Sequence, residues 1–165
     1  MNKILILLAH PDLAHSTINR RWADELSGSP ERFTVHDLYR ACPDSRIDVQ
    51  REQALVESHA HLVLQFPVYW FSSPPLLKQW QDEVLTYGWA YGSTGRALHG
   101  KEIALAVSPG APASSYDRSG EYHYELHELL RPFQAMSNMV GTRFVAPFFT
   151  AGALNLTDAD LELRA

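Results

Sequence analysis

Near its start the chain carries Ile4-Leu5-Ile6-Leu7-Leu8, five apolar residues in succession with no alternation of polar side chains. Comparable runs occupy residues 61–66 and 103–107. Strands of this kind are covered on both faces, which is typical of parallel sheets and not of half-exposed antiparallel ones. The three runs therefore predict buried parallel strands at the centre of one sheet.

Segments with a helical spacing of apolar residues separate these strands. Helices are predicted at residues 17–26, 50–58, 76–85 and near 124–139, and further strands at residues 32–38 and 142–150. The alternation of strand and helix implies right-handed crossovers and a doubly wound α/β sheet. Five parallel strands favour the flavodoxin-like order 2-1-3-4-5, in which ligands bind beyond the carboxyl ends of the strands.

Length and composition narrow the class of protein. At 165 residues the chain is expected to form a single domain, 1–165, with 45% hydrophobic and 20% charged residues. No apolar run is long enough for a membrane span, and the first run is too short for a signal peptide. The net charge of −5, without a cluster of Lys or Arg, argues against nucleic-acid binding. The single cysteine, Cys42, excludes an intramolecular disulfide and fits a reducing cytoplasm.

An aromatic segment follows the strand at residues 61–66. Pro67 cannot donate to a sheet ladder, so the strand is expected to stop there, and Pro74 and Pro75 then open a helix. A loop of this kind can present ring faces and backbone N–H groups at one point, which an isoalloxazine ring needs for stacking and for its N5 and O4 edge. The predicted ring contacts are Pro67, Val68, Tyr69, Trp70 and Phe71. The same aromatic side chains would equally plug a core or an interface, so both interpretations stay open.

The loop between the first strand and the first helix has the features of a phosphate site. Ser16 is expected to cap the helix, and the N–H groups of Thr17, Ile18 and Asn19 would then point at a phosphate. His10, at the end of the strand, adds a hydrogen bond or a positive charge. Taken singly, Ser16 is better explained as a plain helix cap and His10 as a surface histidine, but this explanation is weaker for the group of residues together. The sequence has no G-x-G-x-x-G or Walker pattern, which removes a Rossmann dinucleotide site and a P-loop.

The loop after residues 103–107 is expected to face the other edge of the same ring. Its predicted contacts are Ser108, Pro109, Gly110, Ala111 and Tyr116. Small residues allow close backbone approach, and the Tyr116 hydroxyl can support the negative charge that builds on a reduced ring. His123, or Tyr122 in second place, is expected to share that charge or to pass a proton to a substrate oxygen. A surface loop without a catalytic role is the alternative.

Together these motifs resemble the NAD(P)H quinone reductase family, and most of all the flavoprotein ancillary subunits of glutathione-gated potassium efflux systems. The resemblance covers almost the whole chain. It is carried by Ala9-His10-Pro11 with Ser16 and Asn19, by residues 39–48, 67–70 and 74–78, and by residues 88–92 leading into 97–101.

The resemblance implies a flavin cofactor, FMN or alternatively FAD, with NAD(P)H as co-substrate and a quinone-like acceptor. It implies ping-pong transfer of a hydride through flavin N5, with Tyr116 and His123 in catalysis. The first loop would hold the flavin phosphate, the loop at Tyr69 and Trp70 the isoalloxazine, and the fourth-strand loop its pyrimidine edge. It further implies a homodimer with the flavin near the interface, and a cytoplasmic protein that can lie at the inner membrane through a transporter partner.

Two other functions stay open from the sequence. One is a regulatory subunit of a potassium efflux transporter with secondary or no reductase activity. The other is a one-electron carrier, which would need a strongly acidic docking face, whereas the acidic residues here are dispersed. The chain also departs from the family pattern: Pro109 stands in a family Thr-Thr-Gly-Gly segment and removes a backbone donor, and His123 lies about one residue further along than in the animal enzymes. A last helix is predicted from Thr157, cut short at about two turns.

Overall fold

The computed structural model describes residues 3–153 and shows a parallel sheet with helices on both faces. The strands are β1 Ile4–Leu8, β2 Phe33–Asp37, β3 His61–Pro67, β4 Glu102–Ser108, β5 Arg143–Phe144 and β6 Phe148–Phe149. The helices are α1 Ile18–Ser27, α2 Leu38–Ala41, α3 Val49–Glu57, α4 Pro75–Val84, α5 Leu126–Leu129 and α6 Arg131–Met139. The helix predicted from Thr157 lies outside the described residues.

The strand order is β2-β1-β3-β4-β5, with β6 also paired to β4, and every pairing is parallel. This confirms the predicted flavodoxin-like order. The three apolar runs form the central strands β1, β3 and β4. The side chains of residues 5–8 in β1 are buried on both faces of the sheet, whereas one face of β4 and the start of β3 are only partly buried, at Val63, Ala104 and Ala106. Helix α4 packs Leu77, Trp80 and Val84 into the core. Within residues 3–153, no helix has the length and apolar character that crossing a membrane requires.

Two predicted elements are interrupted, and proline explains each interruption. The strand expected at residues 142–150 is two short strands, because Pro147 has no N–H for the ladder with β4. The helix expected near residues 124–139 is α5 followed by α6, with Leu130 between them. Pro132 lies in the first turn of α6, where it cannot donate to the carbonyl four residues earlier. Leu38, predicted as strand, instead begins α2. The Asp37 side chain caps the N-terminus of this helix, since it accepts a hydrogen bond from the Arg40 N–H at 3.2 Å.

Candidate functional site

A cavity of about 420 Å³ opens at the carboxyl edge of the sheet, between the loops that follow β1, β3 and β4. Its volume lies in the range of small-molecule and cofactor sites. The lining residues are His10, Asp12, His15, Ser16, Thr17, Ile18, Asn19, Pro67, Val68, Tyr69, Ser108, Gly110 and Ala153. The structure thus brings together ten of the residues that the sequence assigned to a flavin site on three separate loops.

The first loop presents backbone donors at the start of α1. Ser16 Oγ accepts from the Asn19 N–H at 3.2 Å, so the serine caps the helix as predicted. That bond occupies one of the three N–H groups that the sequence assigned to a phosphate, and the Asn19 amide is therefore a structural donor. The N–H groups of Thr17 and Ile18 donate to no other group among residues 3–153. They lie in the first turn of a helix, where partial positive charge favours an anion.

A buried polar network joins the three loops behind the cavity. Asn19 Nδ2 donates to Ser108 Oγ at 2.6 Å, and Gln65 Nε2 donates to the Asn19 carbonyl at 2.9 Å. All three residues are buried: Asn19 and Gln65 are 1% exposed and Ser108 is 3% exposed. Side chains so deeply buried need partners, and here each partner belongs to a different element. The network fixes α1 against β3 and β4, and so fixes the position of the donors at the start of α1.

Ionisable side chains at the mouth of the cavity come from the β1 loop. His10 Nδ1 accepts from the Asp12 N–H at 3.1 Å, which assigns the ring proton of neutral His10 to Nε2. Burial lowers the pKa of His10, although Asp12 and Asp37 act in the opposite direction. The Asp12 carboxylate pairs with His15 Nδ1 at 2.8 Å, and this hydrogen bond lowers the pKa of Asp12. At neutral pH the mouth therefore combines the uncharged imidazole of His10 with the Asp12 carboxylate, which is hydrogen-bonded to His15.

The aromatic loop after β3 is a two-residue hairpin. The backbones of Tyr69 and Ser72 exchange two hydrogen bonds, at 2.9 and 3.0 Å, around Trp70 and Phe71. Both central residues have positive φ, 46° and 61°, as a type I′ turn requires. Neither is glycine, so each costs about 1–3 kcal/mol of backbone strain, which is characteristic of functional sites.

The turn faces the cavity differently from what the sequence predicted. Tyr69 lines the cavity, but Trp70 and Phe71 do not, and the Trp70 side chain is 93% exposed. Trp70 and Phe71, which the sequence predicted as ring contacts, thus do not line the cavity of the single chain, where both have left-handed backbone at the tip of the turn. The Trp70 and Phe71 N–H groups make no hydrogen bond to another group among residues 3–153. The turn therefore has two backbone donors without a partner among the described residues.

The loop after β4 divides into two parts. Ser108 and Gly110 line the cavity, as predicted. Pro109 and Ala111 do not, because their carbonyl oxygens accept from the N–H groups of Gly152 and, for Pro109, also of Ala153, at 2.9–3.2 Å. These two residues therefore anchor the chain after β6, which brings Ala153 to the cavity.

The two residues predicted to act in catalysis lie beyond this cavity. Tyr116 lines a neighbouring cavity of about 330 Å³, and burial raises its pKa, with a further contribution from Tyr122. His123 is exposed, has φ 58°, and places Nδ1 3.4 Å from the Arg118 carbonyl oxygen. It lines neither cavity. Of the two residues considered for the proton-transfer role, Tyr122 is the one whose ring contacts Tyr116, at 5.1 Å between centroids.

The sequence did not assign Asp12, His15, Gln65 or Ala153 to the site. Gln65 carried a recognisable signal, because it is an amide at the carboxyl end of an otherwise apolar strand and must find partners when buried. Asp12 and His15 lie in the predicted phosphate loop, but nothing in the sequence indicated that these two side chains pair. Ala153 reaches the cavity only through the backbone bonds to Pro109.

Comparison with known proteins places the chain in a family. A family model described as "Flavodoxin-like fold" matches residues 2–165. The uncharacterized NAD(P)H oxidoreductase YrkL of Bacillus subtilis is 48% identical over 163 residues, which cover 99% of this chain and 93% of the relative. The glutathione-regulated potassium-efflux system ancillary protein KefF of Salmonella typhimurium is 39% identical over 162 residues, covering 98% and 90%.

Two solved structures are similar over nearly the whole chain. General stress protein 14 of Treponema denticola, in complex with FMN, superposes with a TM-score of 0.92 at 48% identity and covers 98% of this chain and 90% of its own. An NADPH-quinone reductase from P. pentosaceus has a TM-score of 0.86 at 32% identity, with coverage of 98% and 92%. The resemblance seen in the motifs is thereby confirmed, and this chain belongs to the flavodoxin-like family that also contains named NAD(P)H oxidoreductases, a quinone reductase and the potassium-efflux ancillary protein.

Proposed function

We propose that this chain is an FMN-dependent NAD(P)H:quinone oxidoreductase. The observation that carries the proposal is the cavity of about 420 Å³ at the carboxyl edge of the sheet, which is lined by the first turn of α1 with its backbone donors and by Tyr69 of the strained 69–72 turn. The donor set fits FMN, because a phosphate needs convergent N–H groups and a flavin ring needs an aromatic platform with donors beside it. A relative of 48% identity that was solved with FMN supports FMN over FAD.

Each part of the cavity has a defined task in this proposal. The first turn of α1 and His10 would hold the phosphate, the loop at residues 67–71 the ring face and its N5 edge, and the loop at residues 108–111 with Tyr116 the pyrimidine edge. Trp70, Phe71, Pro109, Ala111 and Tyr116 lie outside the cavity of the single chain, so their part in this assignment rests on the sequence. FMN held there would supply two-electron hydride chemistry between NAD(P)H and a quinone, for which we propose ping-pong order through flavin N5.

The chain itself contributes binding, orientation and charge stabilisation. The Thr17 and Ile18 N–H groups bind the phosphate, and the buried network behind them keeps α1 in place. Ser108 Oγ accepts from Asn19, so its own proton is available to a ligand in the cavity. Tyr116 lines the neighbouring cavity, and burial raises its pKa and so favours the protonated hydroxyl. We assign to this hydroxyl the donation to negative charge at the pyrimidine edge, which requires a bound flavin to reach from the first cavity towards the second. We assign proton delivery to the acceptor to the 116–123 loop, with His123 as the residue that the sequence favours.

The proposal is tested on the purified full chain. Heat or acid should release FMN in near-equal ratio to protein, identified by mass and by its absorption bands. NADH and NADPH should each be tried with a soluble benzoquinone, and initial rates should give parallel double-reciprocal lines. A chain that neither contains nor binds FMN, or one whose bound FMN stays oxidised after NADH and NADPH are added, would refute the proposal.

The similarity to the potassium-efflux ancillary protein supports a second candidate function, a regulatory subunit of an efflux transporter. Retention by membranes that carry such a transporter, unaffected by Tyr116→Phe combined with His123→Ala, would favour regulation over catalysis. Absence of retention with an active reductase would leave the enzyme alone.

We also propose a homodimer with the flavin near its interface. The exposed side chains of Tyr69, Trp70 and Phe71 at the cavity are the surface that supports it. Light scattering after gel filtration should give twice the mass of the chain, and Trp70→Asp should shift the protein to one chain mass. A monomer at micromolar concentration would contradict this arrangement.

A further inference from the structure

We infer that Tyr122 is a positioning residue that clamps the 69–72 turn against Tyr116 and so sets the direction of the turn's backbone donors. The inference rests on the proposed function for its consequence, because those donors are the ones assigned to the flavin ring. Its structural part stands on contacts between two loops that come from different strands.

The Tyr122 ring lies between two other aromatic rings. Its centroid is 5.0 Å from that of Phe71 at an interplanar angle of 76°, and 5.1 Å from that of Tyr116 at 62°. Both are edge-to-face arrangements, which aromatic pairs favour. Phe71 belongs to the loop after β3 and Tyr116 to the loop after β4. Among the aromatic pairs within residues 3–153, those of Tyr122 are the ones that join these two loops.

The Tyr122 backbone is itself held in place. Its N–H donates to the Ser115 carbonyl at 3.1 Å, which ties the residue to the short 3₁₀ turn that precedes Tyr116. Ser115 is buried, so the clamp has a fixed base in the β4 loop. The contact with Phe71 therefore transmits the position of one loop to the other.

The 69–72 turn needs such a contact because little else holds its unusual backbone. Two hydrogen bonds between Tyr69 and Ser72 close it, its two central residues both have positive φ, and the Trp70 side chain is almost entirely exposed. Non-glycine residues keep such conformations only where their surroundings determine them. Phe71 against Tyr122 is the aromatic contact that meets this requirement.

The geometry also says which part of Tyr122 matters. The ring makes the contacts, and the hydroxyl makes no hydrogen bond to another described residue. Phenylalanine should therefore replace tyrosine here, whereas leucine, which is apolar but has no ring, cannot reproduce the two edge-to-face contacts. This separates a clamp from an acid–base role, which would need the hydroxyl.

The experiment compares Tyr122→Leu, Tyr122→Phe and a matched control, Tyr124→Leu. Tyr124 lies two residues away, is 57% exposed and has no ring contact among the described residues. The first readout is hydrogen exchange of the peptide covering residues 69–72 in the flavin-free full chain. Tyr122→Leu should speed that exchange at least about threefold, the scale of one lost aromatic contact, and the other two variants should leave it unchanged.

The second readout uses added FMN. Tyr122→Leu should weaken FMN binding roughly tenfold and change the visible circular dichroism of the bound flavin, while Tyr122→Phe stays within about twofold of the original chain. The kcat for NAD(P)H should fall more than KM rises, because donors that point wrongly act mainly after the cofactor is bound.

Each result has a distinct meaning. Unchanged exchange in Tyr122→Leu overturns the clamp, whatever the flavin does. A loss in Tyr122→Phe equal to that in Tyr122→Leu also overturns it, because the hydroxyl would then be the active group. Faster exchange in Tyr122→Leu, in a protein that does not bind FMN, supports the clamp and refutes the proposed function.

Discussion

The replacement Ser108→Ala tests the buried network that fixes the site. Asn19 Nδ2 donates to Ser108 Oγ at 2.6 Å, and no other described residue accepts from it. Because Asn19 is 1% exposed, the variant leaves an amide donor buried without a partner, which costs about 1–3 kcal/mol. In a chain of this length each kcal/mol lowers Tm by about 2–4 °C, so a loss near 2 kcal/mol should lower Tm by about 4–8 °C.

The assay is urea and thermal unfolding of the flavin-free protein, because bound FMN would add its own stabilisation. The control is Ser27→Ala, an exposed serine of α1 whose side chain makes no hydrogen bond within the described residues; alanine there should change the free energy of unfolding by less than about 0.5 kcal/mol. A loss for Ser108→Ala no larger than for the control would refute the account, since the Asn19 amide would then not depend on Ser108. FMN affinity should fall as well, because the variant also removes a donor from the cavity.

Three further expectations concern groups outside that network. Burial opposes ionisation of Glu52, yet its hydrogen bonds with His36 and Trp80 outweigh burial and lower the pKa of Glu52. The stability that ionised Glu52 adds is therefore present above the ordinary glutamate pKa and is lost as the pH falls through the lowered pKa of the folded protein. Glu52→Gln should therefore flatten the decline of Tm below about pH 4, and parallel Tm curves would contradict this. Trp70→Asn should raise the Tm of the flavin-free chain by about 1–3 °C, because asparagine tolerates left-handed backbone. The rate of quinone reduction should fall in the same variant. A lower Tm by calorimetry would contradict the backbone strain assigned to Trp70. Burial lowers the pKa of His10, and a bound phosphate should raise it. The original chain should therefore bind FMN more tightly than His10→Gln by a factor that grows as the pH falls from about 8 to about 5.5, measured by fluorescence titration. A factor that does not change with pH would exclude protonation of His10 on binding.

The fold followed from the sequence because its central strands carry an unambiguous pattern. Runs such as Ile4–Leu8 can be satisfied only between two layers of helices, and this burial dictates a parallel sheet. The breaks at Leu130 and before Phe148 were missed, although Pro132 and Pro147 are visible in the sequence. The spacing of apolar residues is judged over a whole segment, whereas a proline removes a single backbone hydrogen bond of the helix or of the sheet.

The site was predictable where residues lie at strand ends and unpredictable where loops fold back. Ser16, Val68 and Gly110 meet because their strands are neighbours in the sheet and end at the same edge. The sequence did not indicate that the side chain of Trp70 lies outside the cavity or that His123 lines neither cavity, because their side-chain directions depend on positive φ values that no propensity of tryptophan or histidine indicates. The hydrogen bonds that close each turn and, at Phe71, the ring contact with Tyr122 determine such backbone.

The charges around the cavity explain why so much of the site is built from backbone. The chain carries a net charge of −5, and the described residues that line the cavity include no lysine or arginine. Burial keeps His10 uncharged at neutral pH, and Asp12 adds a carboxylate at the mouth. A phosphate here must therefore be held by peptide dipoles, whose effect depends on direction and fades within one helical turn. The attraction between two ions changes little when one of them shifts, whereas hydrogen bonds from a set of N–H groups weaken as soon as the groups point away from the phosphate. The buried network of Asn19, Gln65 and Ser108 supplies that fixed direction at the start of α1, and the Tyr122 clamp supplies it for the 69–72 turn.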